Sequence, residues 1–474
     1  MPKRRRRTSK SGQSLPKPPS LWQTIGPSFI LLGLALGSGE LILWPYLAAN
    51  YGLGLLWGGL LGISFQYVLN TETMRYSLAW GESVFVGFRK LCWLIPVWYI
   101  ISTFIPWSLP GFSSAAAQIL FDFLGNAGLP IAAALGEKIV AVFLLLLTGT
   151  ILTAGQVLYK TMEYLQKTII LLGLPLIAIL TVILTQQSDW IEAGWGLLGR
   201  GQGWWLFPPN IALASFLGAF AYAGAGGNLN LAQSYYIKEK GFGMGKFAAK
   251  ITSLFAGGNK PVKITGQSFK DTSKNQRLWQ QWWRLVNLEH FLVFWVLGFV
   301  TIVLLAVLAK SLVFGQGVES GLSFLYAEAA VIGQQTWPLL RIVFLLIAAL
   351  MLFSTQLGVL ESSSRIISEN VLLLFHRQGG RYNLSLGFYL ALWAQIGLGI
   401  VVYLFGWQEP RFLLTLSAVL NAAAMMVSFP LVYLLNRQLL PARYQPRLWR
   451  KLVMLAAFLF FVYFVGVTFK GAFS

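Results

Sequence analysis

Apolar residues fill eleven long stretches of this 474-residue chain, and the charges collect in the short segments between them. The stretches run over about 24–48, 53–77, 92–120, 131–153, 164–185, 209–236, 290–314, 338–372, 386–405, 412–435 and 449–469. A helix rises 1.5 Å per residue, so roughly twenty apolar residues cross the hydrocarbon core of a bilayer. The pattern therefore predicts an all-α polytopic membrane protein of about eleven transmembrane helices. Two of the spans are interrupted where the membrane is deepest. The first carries Gly37-Ser38-Gly39-Glu40 and the sixth carries Gly224-Ala225-Gly226-Gly227-Asn228. Glycine weakens a helix, and an ionised acid at mid-membrane costs roughly 2.5 kcal/mol or more. Both segments are expected to break their helices around a polar site.

Five is an odd number, so spans one to five and six to ten overlay with opposite orientation, each set led by an interrupted span. This is the hydropathy signature of a five-plus-five inverted repeat, as in leucine-transporter-like carriers with broken helices one and six. Repeat one is placed at about 24–185 and repeat two at about 209–435, with an extra helix at 449–469. Residues 1–20 form a basic cytoplasmic tail, expected to be disordered, and 21–474 a single transmembrane domain.

Charge fixes the expected orientation. The net charge of +20 would suit nucleic acid, but thirty of the 36 Lys and Arg fall in the segments on the side of the tail, ten of them between Lys238 and Arg284. Only Lys138, Arg200, Lys310, Arg341, Arg411 and Lys470 fall on the other side. The positive-inside rule then puts the N-terminus in the cytoplasm and the C-terminus outside, in the cell (inner) membrane. The basic face is expected to meet anionic lipid, and no nucleic-acid partner is expected. Within the long basic loop, 275–286 is amphipathic and rich in Trp, and reads as an interfacial helix on the inner leaflet. Trp190, Trp195, Trp204 and Trp205 read as the outer aromatic belt, and prolines 96, 106 and 110 as kinks in the third span.

The remaining chemistry is sparse. Cys92 is the single cysteine, so neither a disulfide nor a cysteine-cluster metal site is available. His290 and His376 are placed in cytoplasmic flanks, away from any zinc-type hydrolase site. No phosphate-binding loop of an ATP-driven pump is present. No enzyme activity and no cofactor are expected. Glu40 stands out as a hard anionic oxygen for a cation, or as an acceptor for a coupling proton; capping a half-helix or pairing with a basic residue is the structural alternative. After the second break, Asn228 and Asn230 offer amide oxygens, with Gln233 on the face of Asn230. Asn421 in the tenth span and Gln356 and Glu361 in the eighth are weaker candidates. Glu72 and Glu82 lie near Arg75 and Arg89, where ion pairing is the default.

Gly26-Pro27-Ser28-Phe29, then Gly37-Ser38-Gly39-Glu40, Tyr51-Gly52 and Leu56-Trp57 before Gln66-Tyr67, resemble the opening of the Nramp family of divalent-metal transporters. The resemblance implies the five-plus-five fold and, in many members, proton-coupled metal uptake. The family's metal-transporting members read Asp-Pro-Gly-Asn at the first break and Met-Pro-His at the second. Here Gly37, Ser38, Gly39 and Glu40 fall on the first motif, and Ala225, Gly226 and Gly227 on the second. The acid has moved, and the sulfur and the histidine are gone. No acid lies between Trp93 and Phe121, where the family carries acids implicated in proton movement. The resemblance thus implies a divergent member, with Glu40 and Asn228 as ligands for a hard substrate ion such as Mg²⁺ or Mn²⁺. Gly37-Ser38-Gly39 followed by Pro45 also resembles the amino acid–polyamine–organocation transporters, in which glycine amides hold a substrate carboxylate. The substrate site is placed at Gly37, Ser38, Gly39, Glu40, Ala225, Gly227, Asn228, Asn230 and Asn421. The leading expectation is a secondary transporter of a small cation by alternating access. An amino acid or amine transporter, and a non-transporting receptor or scaffold that kept the fold, are the alternatives.

Overall fold

The structure, a computed structural model, describes residues 13–125, 133–154, 158–248, 264–317, 322–375 and 384–473. Nine continuous helices among them are long and apolar enough to cross a membrane: Pro27–Tyr51, Leu53–Trp80, Leu135–Ala154, Tyr159–Leu184, Ser273–Val313, Pro338–Phe375, Leu384–Leu404, Pro410–Leu439 and Leu448–Gly471. The third and sixth spans are discontinuous, as Ile95–Trp107 with Gly111–Gly125 and Leu213–Ala221 with Leu229–Lys240. Together these make the eleven spans that the hydropathy pattern requires, in an all-helical multi-pass membrane protein.

Four details depart from expectation, each for a local reason. The first span does not come apart. Pro27–Ala35 passes through a π-helical segment, Leu36–Leu43, into Trp44–Tyr51. The Trp44 amide bonds back to the Gly39 carbonyl, five residues earlier, so the turn widens while its backbone groups stay paired. The third span, expected only to kink, stops at Trp107 and restarts at Gly111, because Pro110 has no N–H to donate and disfavours helix at the residue before it.

The Trp-rich stretch 275–286 is no separate interfacial helix. It is the first half of the 41-residue helix Ser273–Val313, joined to the seventh span through the π-helical segment Phe291–Val296. Trp279 and Trp282 are buried. The Trp282 indole donates to the Pro16 carbonyl at 2.8 Å, and Trp279 packs on Phe269 and Tyr444. Residues 13–20, assigned to the disordered tail, accordingly lie against this helix. Asn275 Oδ1 accepts from Ser14 Oγ and the Leu15 amide, both at 3.1 Å, and Leu15 is buried. The first twelve residues and His376 lie outside the described residues.

The end of the bundle rich in Lys and Arg is tied by buried ions. Arg365 of the eighth span, fully buried, binds Glu361 one turn before it and Glu239 at the end of the sixth span. The Tyr236 hydroxyl contacts Glu361 at 3.1 Å and Ser362 at 2.5 Å. Glu72 takes both Arg75 (2.7 Å) and Arg450 (3.2 Å). Glu82 pairs with Lys90, whereas Arg89, its expected partner, donates to the Leu373 carbonyl at 2.9 Å. At the opposite end Lys310 joins Asp189 (2.8 Å) and Glu192 (2.7 Å) of the helix Gln187–Gly196. Burial works against the Asp189 carboxylate, but hydrogen bonds from Lys310, Ser311 and the Gln186 amide outweigh it and hold its pKa below the usual value.

Two outcomes follow. Arg365→Leu strands two carboxylates in a water-poor interior and should lower stability by roughly 3–5 kcal/mol. It should be read as a fall in thermal midpoint in detergent, largely reversed when Glu239→Gln and Glu361→Gln are added. Asp189 has a folded pKa below its unfolded one, so its contribution is complete above the ordinary carboxylate pKa of about 4 and is lost as the pH falls through the folded value. The thermal midpoint of the natural chain should drop between pH 5 and pH 3, and Asp189→Asn should flatten that drop.

Candidate functional site

The two glycine-rich segments use their glycines differently, and the difference builds the site. In the sixth span Gly226 and Gly227 take positive φ, 75° and 51°. Two successive left-handed residues cannot continue a right-handed helix, and without a Cβ they adopt this shape at little cost. The helix therefore ends at Ala221 and restarts at Leu229. In the first span the glycines are helical, and what they supply is closeness. A Cβ on Gly39 would overlap the Tyr222 carbonyl oxygen, and one on Gly37 would overlap the Thr355 hydroxyl. Thr355 Oγ1 accepts from the Gly37 amide at 3.1 Å and donates to the Gly33 carbonyl at 3.0 Å, so it stitches the eighth span to the first. The π-helical segment of the first span thus lies directly against the break in the sixth.

A break at this depth leaves amides and carbonyls without helical partners. Much of the repair comes from Gln66 of the second span. Its Nε2 donates to the Ala221 carbonyl, at the end of the first half-helix, at 3.1 Å. Its Oε1 accepts from the Gly226 amide and from Asn230 Nδ2, each at 3.1 Å. One side chain bridges both half-helices and the gap between them. Gln66 served only as part of a family resemblance in the sequence; the available signal was a pair of uncharged amides, Gln66 and Asn70, one helical turn apart in an apolar span.

Tyr222 and Asn228 anchor the break on its other side. The Tyr222 hydroxyl meets Ser417 Oγ at 2.7 Å and accepts from Asn421 Nδ2 at 3.0 Å, and its ring stacks on Trp107 beside the gap in the third span. Asn421 also backs onto Gly227, whose missing Cβ leaves room for Asn421 Oδ1. Asn228 Nδ2 donates to Ser102 Oγ and Thr103 Oγ1, both at 2.9 Å, and its Oδ1 accepts from Ser428 at 3.2 Å. Ala225 is buried in the break. Asn230 Oδ1 and Asn421 Oδ1 are buried and have no donor among the described residues. Gln233 Oε1 and Asn70 Oδ1 likewise lack a donor and Asn70 Nδ2 lacks an acceptor among the described residues, in a polar row that continues towards the basic end. Ser38 is part of the π-helical segment.

Glu40 stands apart from Asn228. Its carboxylate lies over the bare Cα of Gly298 in the seventh span, in a space edged by Leu32 and Ile63. It is fully buried, and neither oxygen has a hydrogen-bond partner among the described residues. The Thr301 hydroxyl beside it donates to the Leu297 carbonyl at 2.8 Å. Glu40 therefore neither caps a half-helix nor pairs with a base. The two residues singled out as metal ligands engage different walls: Glu40 the second and seventh spans, Asn228 the third and tenth. No group of three or more His, Cys, Asp or Glu side chains among the described residues is arranged to hold a metal. Gln356 accepts from Ser113 at 3.1 Å and Glu361 belongs to the Arg365 network, so both serve packing between helices.

No family model matches the chain, and no curated protein matches it. Solved structures do. A mutant form of the manganese transporter of Eremococcus coleocola superposes with a TM-score of 0.68 at 16% identity, covering 97% of this chain and 90% of that one. The same transporter in complex with an aromatic bis-isothiourea compound gives 0.68 at 16% identity, over 98% and 92%. A transporter of the nucleobase-cation-symport-1 family, in a closed conformation with bromovinylhydantoin bound, gives 0.52 at 12% identity, over 96% and 94%. The chain has the fold of these membrane transporters, the leucine-transporter-like architecture that its interrupted spans foretell.

Proposed function

We propose that this protein is a secondary active transporter of a small cation, with a hard divalent metal ion as its leading cargo, working by alternating access. One observation carries the reading. The Glu40 carboxylate is buried in largely apolar surroundings, no basic group pairs with it among the described residues, and the one hydroxyl beside it, Thr301, is committed to the Leu297 carbonyl. An ionised carboxylate is too costly to leave there alone, so its stable partner is a cation or a proton that arrives and departs. That is the property a carrier needs of its coupling group or its ligand. At the sixth-span break the unpartnered neutral oxygens Asn230 Oδ1 and Asn421 Oδ1 are hard donors that suit Mg²⁺ or Mn²⁺ over a thiophilic ion. The shared fold with a manganese transporter and the motif resemblance to the Nramp family support the same cargo. The chain would be a divergent relative, N-terminus in the cytoplasm and C-terminus outside, as its charge asymmetry directs.

A second reading has its own observation. The amides of Gly224, Ala225 and Gly227 meet no acceptor among the described residues. Such amides form an anion nest of the kind that holds a carboxylate, which suits an amino acid whose ammonium group would meet Glu40.

Uptake into proteoliposomes separates these readings. Entry of Mn²⁺ or Mg²⁺ without amino-acid entry is expected; the reverse selects the second reading, and neither points to a protein that kept the fold without carrying solute. Glu40→Gln should cut uptake at least about tenfold, equivalent to roughly 1.4 kcal/mol, with the protein still folded, since no hydrogen bond is lost. Unchanged uptake would remove Glu40 from the mechanism. Gln66→Leu removes the bridge across the sixth-span break and should lower both uptake and thermal midpoint, whereas Glu40→Gln should leave the midpoint near that of the natural chain.

A further inference from the structure

Away from the transport site, the tenth and eleventh spans part at the basic end of the bundle. Pro430 stands inside the helix Pro410–Leu439 and removes the N–H that would bond to the carbonyl of Met426. The helix Leu448–Phe473 runs back alongside, and between them lies a groove of about 220 Å³. Phe429 and Met454 are buried at its floor, Pro430, Leu455 and Phe458 line it away from the basic face, and Tyr433 and Lys451 form its end nearest that face. The step from Lys451 to Phe458 covers about 10 Å of helix. The groove opens sideways, away from the bundle: Leu452 and Leu455 on its rim are 56% and 52% exposed.

Charge at the shallow end is unbalanced. Between Arg411 and Ser474 the sequence holds seven Lys and Arg and no Asp or Glu. Of the cations near the groove, Arg443 takes Asp271 and Arg450 takes Glu72. Lys451 and Arg437 pair with no carboxylate among the described residues. Arg437 donates to the Tyr433 hydroxyl at 3.3 Å, which sets its guanidinium over the same end of the groove as Lys451. Two uncompensated cations above an apolar channel that opens towards hydrocarbon match one kind of molecule, with an anionic head and an acyl tail.

We propose that this groove is a binding site for an anionic glycerophospholipid of the cytoplasmic leaflet. Its phosphate meets Lys451 and Arg437, and one acyl chain lies along Phe429, Pro430, Leu455 and Phe458. The proposal is independent of the transported substrate, because the groove shares no residue with the Glu40 site.

Native mass spectrometry of the full chain with phosphatidylglycerol or phosphatidylcholine tests it. The natural chain should retain phosphatidylglycerol at least about tenfold more strongly. The double variant Lys451→Gln, Arg437→Gln should bring the two lipids to near parity. Leu455→Trp, which fills the channel and keeps both cations, should release the lipid. Equal retention of both lipids by the natural chain overturns the proposal, as does an undiminished preference in the double variant or in Leu455→Trp. A lipid-free dimer closed across the groove would assign it to a second copy of the chain and overturn the proposal equally.

Discussion

A helix opened inside hydrocarbon exposes amides and carbonyls that no solvent will satisfy, and this constraint shapes the centre of the molecule. The sixth span is opened, between Ala221 and Leu229. The structure meets the cost with Gln66, which holds the end of one half-helix, the gap and the first turn of the other. Tyr222 and Asn228 fix the far side of the break to the third and tenth spans. The polar core is thus nearly closed on itself, and the few atoms left without partners become its informative ones.

Glu40 is the sharpest of these. The wide turn of the first span presents the carboxylate to Gly298, where an added Cβ would crowd Ile63 and touch Glu40 Oε1. Its surroundings are largely apolar, and no basic side chain pairs with it among the described residues. Elsewhere the molecule pairs buried carboxylates with care: Glu361 and Glu239 share Arg365, and Glu72 has Arg75, Arg450 and Asn436. Glu40, like Glu328 on the helix Ser323–Gln335, has no basic partner among the described residues, and of the two only Glu40 stands on the π-helical segment of the first span.

Those structural pairs also distribute stiffness. The Arg365 and Glu72 clusters lock the basic end of the bundle across the sixth, eighth, second and eleventh spans, and Lys310 with Asp189 and Glu192 fastens the opposite end. The site lies between the two sets of ties. Any motion that exposes it to one face must loosen one set and keep the other.

The number of spans, their near-register with the helices and the position of the sixth-span break were legible in the sequence, because apolar run length and a Gly-Gly pair report directly on bilayer thickness and on allowed φ. The outstanding carboxylate was legible too, since an acid in an apolar run is conspicuous in any context. The fate of the first span was not. Two glycines signal either a break or a close neighbour, and only the approach of Tyr222 and Thr355 decided that here they serve contact within a continuous helix. Nor could sequence spacing assign Asn228 to Ser102, Thr103 and Ser428, or show Gln66 reaching across to Gly226. These partners are separated by more than a hundred residues along the chain, and a local pattern carries no record of which helix will stand opposite. Hydropathy determines that a helix crosses the membrane; side-chain shape and the need to satisfy buried polar groups decide what it faces there.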